Sequence, residues 1–136
     1  MRYLLDTNVI SEPGKPRPSR AVLRWLGAVP ARDTALSVMA IGELRKGAEQ
    51  MRARDQERAK GLDAWIAETV ADFGDRVLAV DAEVAEAWGR LEADMPRPKV
   101  DGLLAATALV HGLTVATRNK RDFERCGVPV MNPFEA

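Results

Sequence analysis

Four carboxylic acids spread along this 136-residue sequence are the side chains best suited to chemistry. Asp6 follows a short apolar run, and Glu43 lies in a helical pattern. Asp101 and Asp122 lie on either side of a strand candidate at 113–116. Carboxylates that converge in a fold raise one another's pKa unless a positive charge offsets them. Mg²⁺ and Mn²⁺ prefer oxygen ligands, activate water and stabilise phosphoryl charge. The acids therefore indicate metal-dependent hydrolysis of phosphate esters.

Few other combinations of catalytic residues are possible in this sequence. His111 is the single histidine, which excludes histidine-based acid–base pairs and histidine-rich zinc sites. Cys126 is the single cysteine, which excludes a disulfide framework and a cysteine-rich zinc site. The sequence has no glycine-rich phosphate loop of the G-x-x-x-x-G-K-[ST] type. Carboxylate chemistry is what these exclusions leave.

The balance of charge limits how the chain could hold nucleic acid. Lys plus Arg and Asp plus Glu number 20 each, so the formal net charge is zero. Proteins that grip long nucleic acids non-specifically usually carry a basic surplus. Any such contact here must therefore be local or assisted by a metal. Basic residues beside the acids in sequence predict a positive rim around an acidic pocket. We expect substrate contacts from Arg45, Lys46, Arg118 and Lys120.

The elements that must position these acids alternate between strands and helices. Apolar runs predict five strands, at Tyr3–Leu5, Thr34–Ser37, 77–80, 113–116 and 128–131. Helices are predicted between them, with Ser19 and Asp81 as N-caps and Gly112 as a C-cap. The alternation predicts an α/β fold with a mostly parallel sheet, whose ligands gather at the carboxyl ends of the strands. The acids fall near those ends.

Helical spacing also predicts which helix faces are buried. The expected apolar faces are Val38, Ile41, Leu44 and Ala48; Leu62, Trp65, Ile66 and Val70; and Val84, Ala85, Trp88 and Leu91. Residues 95–98 are predicted to form a connector that leads to Asp101 and a very apolar helix at 103–110. The tryptophans at helical spacing indicate core or interface packing rather than base stacking.

Each acid also has a purely structural interpretation. Asp6 could cap the turn that follows it, and Asp101 is a natural N-cap, worth ~1 kcal/mol. Glu43 by itself is typical of a solvated helix surface. Asn119 with Asp122 three residues later resembles a capping arrangement. Spacing alone leaves the structural and functional interpretations open.

The order of the motifs resembles the PIN-domain family over nearly the whole chain. The matching segments are YLLDTN at 3–8, SVMAIGELRKG at 37–47, DGLLAATA at 101–108, GLTVATRN at 112–119, Asp122-Phe123 and Asn132-Pro133-Phe134. Each segment alone is weak, but together, in family order and spacing, they are specific. The chain is similar to VapC-type toxins of bacterial type II toxin–antitoxin systems.

This resemblance implies a three-layer α/β/α sandwich with a mostly parallel sheet of about five strands. It also implies a Mg²⁺- or Mn²⁺-dependent endoribonuclease that a cognate antitoxin neutralises. By position, Asp6 and Asp101 match the principal metal ligands, Glu43 the third acid and Asp122 a fourth. The polar residues expected to support this catalytic set are Thr7, Asn8, Thr117 and Asn119. A homodimer is expected, with higher hetero-oligomers when antitoxin is bound.

Two other functions stay open at this point. One is a Mg²⁺-dependent phosphatase or phosphoacceptor domain on a related sheet, and the other is a catalytically silent PIN-fold module. The helices around Trp25 and Trp65 are the expected antitoxin surface. No apolar run approaches the ~20 residues of a membrane span. We therefore expect one cytoplasmic domain over residues 1–136, with no membrane contact.

Overall fold

The predicted strands form one sheet in the computed structural model, which describes residues 1–94 and 99–136. They are β1 (Tyr3–Leu5), β2 (Thr34–Ser37), β3 (Val77–Leu78), β4 (Thr114–Ala116) and β5 (Val130–Met131). Their order is β3-β2-β1-β4-β5, and every neighbouring pair is parallel. The predicted α/β fold with a parallel sheet is confirmed. The third and fifth strands are shorter than predicted, because pairing with β2 and β4 covers only two residues of each.

Six helices connect the strands among the described residues. They are α1 (Thr7–Ile10), α2 (Arg20–Ala28), α3 (Val38–Arg52), α4 (Gln56–Phe73), α5 (Ala82–Asp94) and α6 (Lys99–His111). The predicted caps are confirmed. The Ser19 hydroxyl accepts the Val22 N–H at 3.3 Å, and the Asp81 carboxylate accepts the Val84 N–H at 2.9 Å. Gly112 ends α6 with φ +65°, a conformation that favours glycine.

Strand β1 occupies the centre of the sheet. Tyr3 lies opposite Thr34 on β2 and Thr114 on β4. Pairing on both sides buries this strand, which explains why it reads as a continuous apolar run rather than an alternating one. The chain leaves β1 at Asp6, whose N–H donates to the Ala116 carbonyl at 2.9 Å. The first acid therefore lies in the middle of one sheet edge.

Consecutive residues of the strands point into two separate cores, as strand geometry requires. Leu4 packs with Leu104 of α6 on one face of the sheet. Leu5 packs with Val22 of α2 and Ala40 of α3 on the other face. Helices thus cover both faces, and the predicted three-layer sandwich is confirmed. None of the described helices is long and apolar enough to cross a membrane.

The predicted helix faces are only partly correct. Val38 and Val70 are 38% and 36% exposed, and Ala85 is exposed as well. For Val38 and Val70 the reason is that α3 and α4 pack against each other over a narrower stripe than the apolar spacing spans. The buried residues of that contact are Leu44, Ala48 and Ile66. The predicted connector at 95–98 lies outside the described residues.

An ion-pair network on the surface also joins α3 to α4. Asp63 of α4 accepts hydrogen bonds from Arg52, at 2.7 Å, and from Arg45. Glu49 accepts from both arginines as well. Hydrogen bonds from the arginines, Arg52 foremost, hold the pKa of Asp63 at about 2. Such exposed networks stabilise modestly and are weakened by salt.

Candidate active site

Asp6 is fixed at the carboxyl end of β1 by three donors. Its carboxylate accepts hydrogen bonds from the Thr7 N–H at 2.7 Å, the Thr117 hydroxyl at 2.7 Å and the Asn8 side-chain amide at 3.3 Å. The residue is only 7% exposed. Asp6 does cap α1, as the structural interpretation holds, yet its second oxygen faces the loop after β4. The two interpretations of Asp6 are therefore compatible.

The Asp6 carboxyl is held in an unfavourable electrostatic environment. Burial raises its pKa above the usual range, and the hydrogen bonds from Thr117 and Thr7 only partly offset that rise. Negative charge on Glu43 and Asp122 raises the pKa further. The ionised form of Asp6 thus carries charge that the surrounding side chains do not compensate.

Glu43 lies on α3 and is connected to Asp6 through one residue. The Thr7 hydroxyl donates to Glu43 Oε1 at 2.7 Å, while the Thr7 N–H binds the Asp6 carboxylate. Thr7 therefore orients both acids from a single position. Glu43 is half-buried, so it is not the fully solvated helix residue that its isolated sequence context suggests.

Asp101 approaches the same group of acids from the other side of the sheet. The structural interpretation of Asp101 as an N-cap is wrong, because α6 begins at Lys99 and Asp101 lies within its first turn. Burial raises the pKa of the Asp101 carboxyl to about 6. Negative charge on Asp6, Asp122 and Glu43 is a smaller part of that same rise. The structure thus brings the four predicted acids within electrostatic reach of one another.

The loop after β4 is fastened to the loop after β1 by polar side chains. Asn8 accepts the Arg118 N–H at 3.1 Å, and its amide group lies 3.4 Å from the Thr117 hydroxyl. Thr117 is fully buried and donates to Asp6. The predicted supporting residues Thr7, Asn8 and Thr117 therefore all surround Asp6, and each donates a hydrogen bond to its carboxylate.

The end of that loop carries Asp122 on an exposed position. The Asn119 N–H donates to the Thr117 hydroxyl at 3.0 Å. Asn119 precedes the short 3₁₀ helix that contains Asp122, but its side chain makes no capping hydrogen bond. The prediction that the Asn119 side chain caps this short helix is therefore wrong. Negative charge on Asp122 nevertheless contributes to raising the pKa values of Asp6 and Asp101.

The carboxylates at this edge of the sheet limit the kind of divalent cation that could bind there. Within residues 1–94 and 99–136, no three His, Cys, Asp or Glu side chains form a group that could hold a metal ion by themselves. Mg²⁺, however, usually keeps several waters and uses only one or two carboxylates. Burial is the main reason that the pKa values of Asp6 and Asp101 are raised, and neighbouring negative charge adds to it; such an ion would favour the ionised carboxylates against both effects. These residues fit a hydrated hard cation and do not fit a fully protein-ligated one.

The predicted basic contacts do not share one environment. Arg45 is ion-paired with Asp63 across α3 and α4, so its charge is already compensated. The Arg118 guanidinium lies over the Phe134 ring, 4.7 Å from its centroid, next to the loop that carries the acids. Lys120 is half-buried at the start of its 3₁₀ helix. Of these three cations, Arg118 is the best placed for a substrate contact.

Sequence analysis missed a small cavity beside Glu43. It has a volume of about 190 Å³ and is lined by Met39, Gly42, Glu43, Lys46 and Val100. Lys46, a predicted substrate contact, lies on its wall. Neither the methionine nor the valine carries a sequence signal of function, because each also fits an ordinary apolar helix position.

Comparison with known proteins gives a consistent result. A family model described as PIN domain matches residues 3–128. The VapC ribonuclease Y4jK of Sinorhizobium fredii is 37% identical over 137 residues, covering 97% of each chain. The toxin FitB of Neisseria gonorrhoeae is 34% identical over 137 residues, covering 96% of this chain and 97% of its own.

Solved structures agree with the sequence comparison. The crystal structure of FitAcB from Neisseria gonorrhoeae matches with a TM-score of 0.90 and 34% identity, covering 98% of this chain and 99% of that one. A structure of FitAB bound to an IR36 DNA fragment matches with a TM-score of 0.88 and 33% identity, covering 97% and 95%. The architecture described above is thus shared with experimentally determined structures over nearly the full chain.

Proposed function

This chain belongs to the PIN domain family, and we propose that it is the metal-dependent endoribonuclease toxin of a type II toxin–antitoxin system. The observation that carries the proposal is the convergence of acids at the carboxyl ends of the strands. Thr7 hydrogen-bonds to both Asp6 and Glu43, and negative charge on Asp6, Asp122 and Glu43 contributes to the raised pKa of Asp101. The relatives named VapC ribonuclease and toxin FitB support the proposal. Phosphodiester hydrolysis is the reaction for which a hydrated cation among carboxylates is best suited.

The metal would be Mg²⁺ or Mn²⁺, held by Asp6 and Asp101. Glu43 would bind it directly or through water, and Asp122 would act as a fourth acid. When bound, such an ion lowers the pKa of a coordinated water and offsets charge on the phosphoryl group. The hydrogen bonds that Asp6 accepts from Thr117 and Thr7 would keep its carboxylate oriented toward that position.

The protein's own side chains would then handle the proton. A water attacks the phosphorus in line, and its proton passes to Glu43 or Asp122. The bond from phosphorus to the 3′ oxygen breaks, and that oxygen takes a proton from solvent. The products are a 5′-phosphate and a 3′-hydroxyl. The Thr7 hydroxyl, 2.7 Å from Glu43 Oε1, would hold this base at a constant distance from Asp6.

The proposed partners are an RNA substrate and a cognate antitoxin, with the toxin as a homodimer that forms higher hetero-oligomers with the antitoxin. Of the two helices expected to bind antitoxin, α4 is the better candidate. Trp65 of α4 lines a cavity of about 380 Å³ with Leu62 and Pro16. Trp25 of α2 instead packs edge-on against the Tyr3 ring, with centroids 5.0 Å apart.

The phosphoacceptor alternative fits the site less well. An acceptor aspartate needs a lysine that meets the phosphate. Within the part of the chain that the structure describes, no ion pair joins a lysine to Asp6. The catalytically silent alternative is left to experiment.

The test is cleavage of total cellular RNA by purified protein freed of any partner. Wild type, Asp6→Asn and Asp75→Asn are each incubated with Mg²⁺, with Mn²⁺ and with a chelator. Asp75 lies exposed in the turn Gly74–Arg76 and is a matched control for removing one carboxylate. We expect metal-dependent cleavage by wild type and Asp75→Asn, and none by Asp6→Asn.

Two results would contradict the proposal. Cleavage by Asp6→Asn at the wild-type rate would remove the acids from the mechanism. Product ends carrying a 2′,3′-cyclic phosphate would exclude attack by water, because that product requires attack by the ribose hydroxyl. Release of phosphate from small monoesters, without RNA cleavage, would favour the phosphatase.

A further inference from the structure

The cavity beside Glu43 shares that residue with the candidate active site. Met39 and Gly42 line it from α3, and Val100 lines it from the start of α6. Glu43 belongs both to the cavity wall and to the group of acids. A group bound in the cavity would therefore contact one of the proposed catalytic acids.

We propose that this cavity receives a single nucleobase of the RNA, the base adjacent to the scissile phosphate. The inference rests on the proposed function, since it names how the same site selects its substrate. At about 190 Å³ the cavity is smaller than the ~300–1,000 Å³ typical of pockets for drug-sized ligands. A single ring system is the part of a nucleotide that matches this size.

The walls have the chemistry that an unstacked base requires. Proteins that take a splayed nucleobase into a pocket stack it between aromatic or apolar side chains. Met39 and Val100 provide half-buried apolar surface, and a methionine thioether adapts its shape to an aromatic ring. A cavity bounded by these two side chains would distinguish bases by size, so we expect a bias between purines and pyrimidines.

The positive charge of Lys46, on the rim of the cavity, suits a phosphate of the same nucleotide. Lys46 follows Glu43 by three positions on α3, so the two side chains share one helix face. The exposed ammonium group would meet a phosphate next to the bound base. The Thr7 hydrogen bond to Glu43 Oε1 keeps the acidic wall in place, at the junction of base and scissile phosphate.

Gly42 offers a way to fill the cavity without disturbing the fold. Among the described residues, no atom lies within 4 Å of a Cβ built at Gly42, and its backbone is helical. Gly47, in the same helix, has equally open surroundings but does not line the cavity. Gly42→Leu and Gly47→Leu therefore form a matched pair. The same side chain is added inside the cavity in the first variant and outside it in the second.

The experiment maps the ends of total cellular RNA cut by wild type and both variants. We expect wild type and Gly47→Leu to share one purine–pyrimidine bias at a nucleotide flanking the cut. Gly42→Leu should lose that bias and cleave about tenfold more slowly, because the added side chain occupies the space of the base. Lys46→Gln should weaken binding for all sequences, reduce its salt dependence and keep the bias.

A binding measurement separates this inference from the proposed function. Labelled single-stranded homopolymeric oligoribonucleotides are titrated into Asp6→Asn carrying either leucine substitution, so that cleavage is not required. A dissociation constant about tenfold higher for Gly42→Leu than for Gly47→Leu supports the base site even if wild type cleaves nothing. Equal affinities, or an unchanged cleavage bias in Gly42→Leu, overturn it and assign the cavity to another ligand, such as an antitoxin segment.

Discussion

Replacing Asp101 by asparagine tests the electrostatics of the acids directly. The pKa of the Asp101 carboxyl is about 6 in the folded protein, against a usual value of 3.8. The folded state therefore binds this proton more tightly than the unfolded state does. Stability attributable to the protonated carboxyl is fully present below pH 3.8 and is lost as the pH rises through about 6.

The expected size of the effect follows from that shift and from the position of Asp101. A rise of about two pKa units corresponds to at most about 3 kcal/mol of unfolding free energy. Solvent screening of this partly exposed side chain reduces it to about 1.5 kcal/mol. Asparagine also loses a favourable charge in the first turn of α6, worth about 0.5 kcal/mol. Metal-free Asp101→Asn should thus be about 1 kcal/mol more stable than wild type at pH 8.

The assay is urea unfolding in the presence of a chelator at pH 8 and at pH 3.5, followed by tryptophan fluorescence. The gain should vanish at the lower pH, where both states hold the proton. Adding Mg²⁺ at about a hundred times its dissociation constant should stabilise wild type by ~2.7 kcal/mol and the variant much less. A loss of stability at pH 8, or an equal gain at both pH values, would refute the reasoning.

Three further substitutions test separate parts of the structure. Thr117→Val removes the buried donor to Asp6 and should lower the unfolding free energy by about 1–3 kcal/mol in urea titrations. It should also move the acidic limb of the cleavage rate to higher pH, and an unmoved limb would count against the contact. Asp63→Asn should remove stability that is present above pH 3.8 and lost as the pH falls through about 2, and added salt should shrink the difference in melting temperature. Gly112→Ala should cost about 1–2 kcal/mol in thermal unfolding because φ is +65° there, and an unchanged melting temperature would contradict it.

The centre of the fold and of the site is readable from local sequence pattern. A run of buried apolar residues that stops at Asp6 is enough to predict a central parallel strand with an acid at its carboxyl end. Parallel strands also bring later segments to the same edge, so the sequence pattern alone places Thr117 and Asp101 near Asp6. The PIN resemblance then assigns roles to these positions.

Features that depend on how the helices rotate and pack could not be predicted from the sequence. Arg45 follows Glu43 by two positions, and residues so spaced do not share a helix face. It turns instead to Asp63, a partner eighteen positions away on α4. Glu12 is another case, since it is buried and accepts the Ser19 N–H at 2.8 Å, yet no pattern around it distinguishes it from a solvated acid.

The central position of β1 has a consequence for synthesis on the ribosome. Asp6 is translated early, but its donor Thr117 follows 111 residues later. At ~5–20 residues per second, the nascent chain spends roughly 6–20 s with the acid but without the loop that orients it. Strand β1 also lacks its partner β4 throughout that interval. A chain that ends before residue 114 therefore lacks both the strand that completes the pairing of β1 and the hydroxyl that orients Asp6.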